Sequence, residues 1–105
     1  MIRYQRGEIW LVDLGMVAKT RPALLLSVPP DDRERAVVTF VPRTTALRGT
    51  RFEVVHVGRG FDAGGFDAQG IATIPTAHLV RRLGVVDGPT LASVEQAVRG
   101  WLALA

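Results

Sequence analysis

The chain has 105 residues, of which 48% are hydrophobic and 22% are charged, so it can bury the core of one domain and is too short for two. It contains no cysteine, which excludes disulfides, thiolate zinc sites and cysteine nucleophiles. Its uncharged stretches are shorter than the roughly 18 residues of a membrane span, and Gly7 and Glu8 interrupt any apolar leader. We therefore expect a single cytoplasmic domain over residues 1–105, with no membrane partner.

Positive charge is concentrated in the middle of the chain. Thirteen basic residues against ten acidic ones give a net charge of +3. Residues 33–59 hold six arginines against Glu34 and Glu53, a local balance of +4, whereas residues 1–32 balance at 0 and residues 60–105 at −1. A guanidinium forms paired hydrogen bonds with phosphate, so this segment is a candidate phosphate-binding region, although a GC-rich genome also favours arginine.

Most of the chain predicts short β-strands. Four runs rich in Val, Ile, Phe and Trp, bounded by Gly, Pro, Asp or Thr, lie at residues 7–14, 22–28, 36–42 and 51–57. The Gly-rich stretch 58–70 predicts a hairpin loop. Two further strands are predicted at residues 71–74 and 83–86, with one helical turn within residues 75–82 between them.

The last segment predicts a helix. Apolar residues recur at three- and four-residue spacing from Leu91 to Leu102, which is the period of an amphipathic helix. Its start signal is either Thr90 or Asp87 and Gly88 ahead of Pro89. Five or six short strands followed by one helix favour a mainly β fold, a partly open barrel whose open side the C-terminal helix covers.

Several kinds of catalytic site lack support in this sequence. His56 lies in an alternating strand and His78 beside an apolar turn, which favours structural or surface roles for both. The acidic residues show no metal-ligand spacing, and no nucleotide-binding loop follows a strand. Chemistry without a metal or cofactor, or binding alone, remains.

Two segments place polar side chains at the ends of apolar strands. Arg21-Pro22-Ala23 opens one strand just after Lys19 and Thr20, and Arg43-Thr44-Thr45 closes another. Sheet ends hold side chains rigidly beside solvent, where sites form. Taken singly, each segment is more typical of an ordinary strand start or turn.

Together these segments resemble a known family. The chain reads Gly7-Glu8-Ile9-Trp10-Leu11-Val12-Asp13, then Lys19-Thr20-Arg21-Pro22-Ala23, then Val41-Pro42-Arg43-Thr44-Thr45, then Arg48-Gly49-Thr50-Arg51-Phe52-Glu53. This order resembles the MazF/PemK toxins of type II toxin–antitoxin pairs. The resemblance implies an SH3-like barrel of the CcdB/MazF plasmid-maintenance toxin type and a homodimer. It also implies metal-independent, sequence-specific cleavage of single-stranded RNA.

The resemblance also assigns roles. Arg21 matches the catalytic arginine of the family, and Thr44 matches its catalytic hydroxyl residue. RNA carries its own nucleophile, the 2′-hydroxyl, so the expected products are a 2′,3′-cyclic phosphate and a 5′-hydroxyl. We predict RNA contacts at four neighbouring positions, Lys19, Thr45, Arg48 and Arg51.

The sequence departs from the family pattern at two places. The loop after the first strand, residues 15–20, has no carboxylate, so it offers no general base. The family commonly has Gln before Ile or Val at the fifth strand, and here Gly70 takes that position while Gln69 stands one residue earlier.

The expected protein partner is a cognate, MazE-like antitoxin whose acidic, disordered tail blocks the RNA groove, which the basic central segment suits. Two alternatives belong to other functional classes. A CcdB-like gyrase poison would not need the pair Arg21 and Thr44. A nucleic-acid-binding barrel without catalysis would bind RNA and leave it intact.

Overall fold

One antiparallel sheet and a C-terminal helix make up the fold in the computed structural model, which describes residues 2–15 and 19–105. The strands are β1 (Glu8–Asp13), β2 (Thr20–Leu25), β3 (Val37–Thr44), β4 (Glu53–His56), β5 (Gly64–Asp67), β6 (Ala72–Pro75) and β7 (Leu79–Val85). The helix is α1 (Gly88–Leu102), and single 3-10 turns occupy Ala68–Gly70 and Thr76–His78. Among these residues, no helix is long and apolar enough to cross a membrane.

Strand β3 is the centre of the sheet. The strand order is β4-β5-β3-β2-β1-β7, and β6 also pairs with β3. One edge of β3 pairs with β2, while its other edge pairs first with β6 and then, at Arg43 and Thr44, with β5. The end of β3 is therefore held by a neighbouring strand up to its last residue.

Alternation along the strands builds two apolar clusters, because successive side chains point to opposite faces of a sheet. Ile9, Leu24 and Val41 point to one face and pack with Phe66 and with Val94 of α1. The opposite face carries Trp10, Val12, Ala23, Leu25, Val38 and Phe40, joined by Tyr4 and Leu79. The helix thus covers one face, and the predicted mainly β fold with a covering C-terminal helix is confirmed.

Local signals fix the ends of α1. The side chain of Asp87 accepts a hydrogen bond from the backbone N–H of Thr90 at 2.8 Å, and a proline occupies the first turn. Ala103 ends the helix in the left-handed conformation. Of the two predicted start signals, Asp87 is the capping residue.

Three sequence-based boundaries are wrong. The predicted loop 58–70 contains β5, a strand without the usual β-branched residues, so only residues 57–63 connect β4 to β5. The single helical turn predicted within 75–82 is confirmed at Thr76–His78, whereas the strand predicted at 83–86 begins four residues earlier, at Leu79. Strand β2 begins two residues before its predicted start and ends three residues before its predicted end, and β3 ends two residues after its predicted end, so Arg21 and Thr44 lie inside strands. Residues 16–18 of the predicted loop after β1 lie outside the described residues.

The contact of α1 with the sheet depends on Val94, which is fully buried. We expect Val94→Ala to lower the free energy of unfolding by about 2 kcal/mol, because two methyl groups leave a cavity. Urea unfolding followed by circular dichroism measures this change. The control is Val57→Ala, at a side chain that is 90% exposed; we expect a change within about 0.5 kcal/mol. Equal changes in the two variants would contradict the packing of Val94 against the sheet.

Candidate functional site

Arg21 and Thr44 are neighbours at one rim of the sheet. Strand β2 begins at Thr20 and β3 ends at Thr44, and Ala23 pairs with Pro42 between them. Continued by two residues, this antiparallel register sets Arg21 opposite Thr44, with both side chains on one face. The guanidinium of Arg21 donates a hydrogen bond of 3.3 Å to the carbonyl oxygen of Arg43, the residue before Thr44.

Two grooves meet at this rim. The first, here called the mixed groove, is a cavity of about 650 Å³ lined by Arg48, Glu53, Asp67 and Gln69 among others. The second, the arginine groove, measures about 660 Å³ and is lined by Arg43, Arg59, Arg81, Asp62, Thr45 and Phe61 among others. Of the residues that the structure describes, only Arg21 and Thr44 line both grooves. The two grooves therefore adjoin at this pair.

The two grooves lie on opposite faces of the sheet. The mixed groove includes Phe40 and Pro42, which alternate with Val41 along β3. The arginine groove includes Leu11 and its cross-strand partners Pro22 and Arg81. Because Arg21 and Thr44 stand where their strands begin and end, they border both faces.

The hydroxyl of Thr44 is oriented by its own loop. Its Oγ1 accepts a hydrogen bond from the backbone N–H of Ala46 at 3.0 Å. A hydroxyl has one hydrogen to donate and two lone pairs, so this bond leaves the O–H free to donate. Thr44 can therefore donate to an anionic oxygen at the rim.

A buried arginine holds the end of β3. Arg43 is 5% exposed, and its Nε donates to Nδ1 of His56 at 3.0 Å. Its Nη2 donates to the carbonyl oxygens of His56 at 2.9 Å and Asp62 at 2.6 Å. Its guanidinium also lies over the ring of Phe61, 5.0 Å from the centroid. These contacts tie the strand that carries Thr44 to the 57–63 connection.

His56 must be neutral to take part in this arrangement. Its Nδ1 accepts the hydrogen bond from Arg43, so the imidazole proton resides on Nε2. Burial, with the positive charge of Arg43 as a second cause, lowers the pKa of His56, while Asp87 opposes this shift. Burial likewise lowers the pKa of Arg43. Both effects follow from the cost of charge in a low-dielectric interior.

The loop between β3 and β4 is organised by Glu53. Its carboxylate accepts backbone N–H bonds from Arg48 at 2.9 and 3.1 Å and from Thr50 at 3.0 Å. These bonds lower the pKa of Glu53 and keep the carboxylate ionised. Gly49, with φ of +75°, provides the turn between them.

The structure brings some predicted site residues together and leaves others apart. Thr45 lines the arginine groove, and Arg48 and Gln69 line the mixed groove. Arg51 lies over the ring of Phe52, 4.5 Å from its centroid, and lines neither groove. Lys19 is exposed at the start of β2 and also lines neither.

Sequence reasoning missed three arginines. Arg43 was part of a recognised motif, but nothing in its neighbours indicates that an arginine is buried there. Arg59 and Arg81 lie far apart in sequence and meet only because the fold places both beside Arg21. The one available signal for Arg81 was its spacing of two residues from Leu83 in β7, which places both side chains on one face of a strand.

Comparison with solved structures shows what this fold is. A mycobacterial endoribonuclease in complex with its cognate antitoxin is similar with a TM-score of 0.83 and 27% identity over 98% of both chains. The Mycobacterium tuberculosis toxin MazF-mt6 is similar with a TM-score of 0.79 and 25% identity, covering 93% of this chain and 98% of that chain. A chain of the MazE–MazF structure from Deinococcus radiodurans shares the fold, with a TM-score of 0.84 and 19% identity over 100% of both chains. None of the curated proteins matches this chain.

The fold is thus that of the MazF toxins, a seven-stranded antiparallel sheet with one C-terminal helix, and the predicted fold class is confirmed. The family model for the PemK-like, MazF-like toxin of type II toxin–antitoxin systems matches residues 5–102. The chain belongs to this family, as its sequence resemblance predicts.

The Arg43–His56 contact predicts a pH dependence of stability. The pKa of His56 lies below its ordinary 6.5 in the folded protein, so the unfolded chain binds this proton more readily. We expect the free energy of unfolding to fall as the pH decreases from 6.5 toward the lower folded pKa. Urea unfolding between about pH 8 and about pH 5 measures this slope.

Two variants isolate the contribution of His56. His56→Gln keeps an acceptor but cannot be protonated, so its free energy of unfolding should vary less over this range than that of the wild type. His78→Gln, at an exposed position, leaves His56 in place and should keep the wild-type slope. A His56→Gln variant with the full wild-type slope would show that His56 is not the responsible group.

Proposed function

We propose that this chain is a metal-independent, sequence-specific endoribonuclease toxin that cleaves single-stranded RNA. The observation that carries the proposal is the position of Arg21 and Thr44, which border both grooves at one rim. A single strand that passes from one groove to the other brings one phosphate to this pair. Membership of the toxin family and likeness to a mycobacterial endoribonuclease support RNA as the substrate.

The reaction uses the nucleophile that RNA contains. The 2′-oxygen attacks the phosphorus, the bond from phosphorus to the 5′-oxygen breaks, and the products are a 2′,3′-cyclic phosphate and a 5′-hydroxyl. The 2′-hydroxyl loses a proton to solvent and the leaving 5′-oxygen gains one, so protons balance. The protein aligns the strand and stabilises the charge that develops on the phosphate.

Arg21 and Thr44 divide this task. The guanidinium of Arg21 has five N–H donors, of which one group contacts the Arg43 carbonyl and the others can bind phosphate oxygens and the leaving oxygen. The hydroxyl of Thr44 donates to a second phosphate oxygen, since its own oxygen is held by Ala46. Thr45, Arg48, Lys19 and Arg51 provide further RNA contacts in this proposal, the first two within the grooves.

The partners follow from the same proposal. We infer that residues 1–105 act as a single toxin domain in the cytoplasm, as a homodimer. A MazE-like antitoxin neutralises it by laying an acidic tail across the RNA path. Net positive charge in the arginine groove supports an acidic inhibitor.

Cleavage in excess EDTA tests this function. Purified protein is incubated with a long single-stranded RNA, and the fragment ends are mapped. We expect discrete cuts with 5′-hydroxyl ends from the wild type and a rate about 10²–10³-fold lower for Arg21→Ala, because one preorganised donor to the phosphate is lost. Thr44→Ala should lose about 10- to 100-fold, and Thr44→Ser should retain activity because it keeps the hydroxyl.

The control is Arg33→Ala, at an exposed arginine outside both grooves. It removes one positive charge and should cleave at the wild-type rate. RNA that stays intact with folded wild type would refute the ribonuclease. Binding without cleavage by both wild type and Arg21→Ala would point to a barrel that only binds nucleic acid.

A further inference from the structure

The two grooves differ sharply in charge. The lining of the arginine groove contains Arg21, Arg43, Arg59 and Arg81 against Asp62, a net charge of +3. The mixed groove contains Arg21 and Arg48 against Glu53 and Asp67, a net charge of 0. Two grooves of nearly equal volume on either side of one catalytic rim therefore offer different environments to a polyanion.

Arg59 and Arg81 carry the accessible part of this excess charge. Both are exposed, and neither guanidinium forms an ion pair or hydrogen bond within residues 2–15 and 19–105. Other arginines of the fold do pair, as Arg6 does with Glu95 and Arg82 with Glu8. Two unpaired guanidinium groups in one groove repel each other, an arrangement that an anionic ligand relieves.

The groove runs across the sheet away from the rim. Arg81 of β7 pairs with Leu11 of β1, and Leu11 pairs with Pro22 of β2, beside the end of β3. From β7 to β3 is three inter-strand spacings, or roughly 14 Å. This span is longer than one phosphodiester unit, so a strand with one phosphate at Arg21 and Thr44 can place the phosphates of the following nucleotides along the groove toward Arg81.

Charge dominates this groove over stacking. Phe61 is the aromatic side chain in its lining, and its ring is engaged by the guanidinium of Arg43 and by the edge of His56. A base would have to displace these contacts to stack there. Contacts from guanidinium groups to phosphate oxygens carry no information about base identity.

We propose that the arginine groove is a backbone subsite, in which Arg59 and Arg81 bind the phosphates that adjoin the scissile phosphate on one side. The proposal rests on the ribonuclease function and deepens it. The strand is held there by its phosphates whatever its bases. The acidic residues Glu53 and Asp67 make the mixed groove unsuited to the same role, so sequence is read on that other side of the rim.

Salt dependence of binding tests this subsite. The probe is a 2′-O-methyl RNA oligonucleotide that contains a sequence cut by the wild type, since its blocked 2′-oxygens prevent cleavage. Each phosphate contact to a single strand contributes about 0.7 to the slope of log K against log salt concentration. We expect Arg59→Ala/Arg81→Ala to lower the magnitude of this slope by about 1.4 while the cleavage motif stays unchanged.

Two controls separate local contacts from net charge. Arg33→Ala/Arg35→Ala removes the same charge at exposed positions outside both grooves and should keep the wild-type slope. Arg59→Lys/Arg81→Lys preserves the charge and should keep most of the wild-type slope. Thermal melting verifies that each variant is folded.

The outcomes distinguish this proposal from the function on which it rests. An unchanged slope, or equal losses in the two alanine pairs, overturns the backbone subsite while cleavage by the wild type upholds the ribonuclease. In that event, the ligand of the arginine groove is an acidic protein segment and not the RNA backbone. A wild type that cuts no RNA removes both proposals.

Discussion

The buried guanidinium of Arg43 is the interaction on which the site depends. Removing an arginine from water is costly, and here donors are matched by Nδ1 of His56 and by two backbone carbonyl oxygens. Three acceptors drawn from the 56–62 segment surround a group that extends from the end of β3. Because replacing the guanidinium would leave these acceptors unpaired, β3 and the connection that follows β4 form one unit.

This unit places Arg21 and Thr44, the proposed catalytic pair. The carbonyl oxygen of Arg43 accepts from Arg21, so the residue that anchors β3 also orients the guanidinium across from Thr44. On the other side, β5 approaches so closely that a Cβ on Gly64 would lie 2.3 Å from the carbonyl oxygen of Thr44. This contact requires glycine at position 64. Because glycine is not a residue type that predicts a strand, β5 was not recognised from the sequence.

The strands and the helix start that the sequence predicts are those whose signals come from residues close together in the chain. Continuous apolar runs such as residues 9–12 and 23–26 predict strands, because the fold buries side chains on both faces of these strands. Asp87 ahead of Pro89 predicts a helix start, because the Asp87 side chain can cap the first turn. Strand β5, Gly-Gly-Phe-Asp, has no such signal, since its stability comes from pairing with β3 and β4. The pair Arg21 and Thr44 was found through a family resemblance, and the register explains why these two positions lie side by side.

The distribution of charge over the site could not be predicted from the sequence. The arginines concentrated in residues 33–59 disperse in the fold: Arg43 becomes buried, Arg51 lies on Phe52, and Arg48 enters the mixed groove. The arginine groove joins only Arg43 and Arg59 of that segment to Arg21 and to Arg81, and Arg81 comes from a segment of negative balance. Electrostatic potential at a surface depends on distances in space, so a charge count along the chain can indicate a nucleic-acid-binding protein but not its binding path. The path proposed above depends on the fold, which sets the strands that carry Arg81, Arg21 and Thr44 side by side.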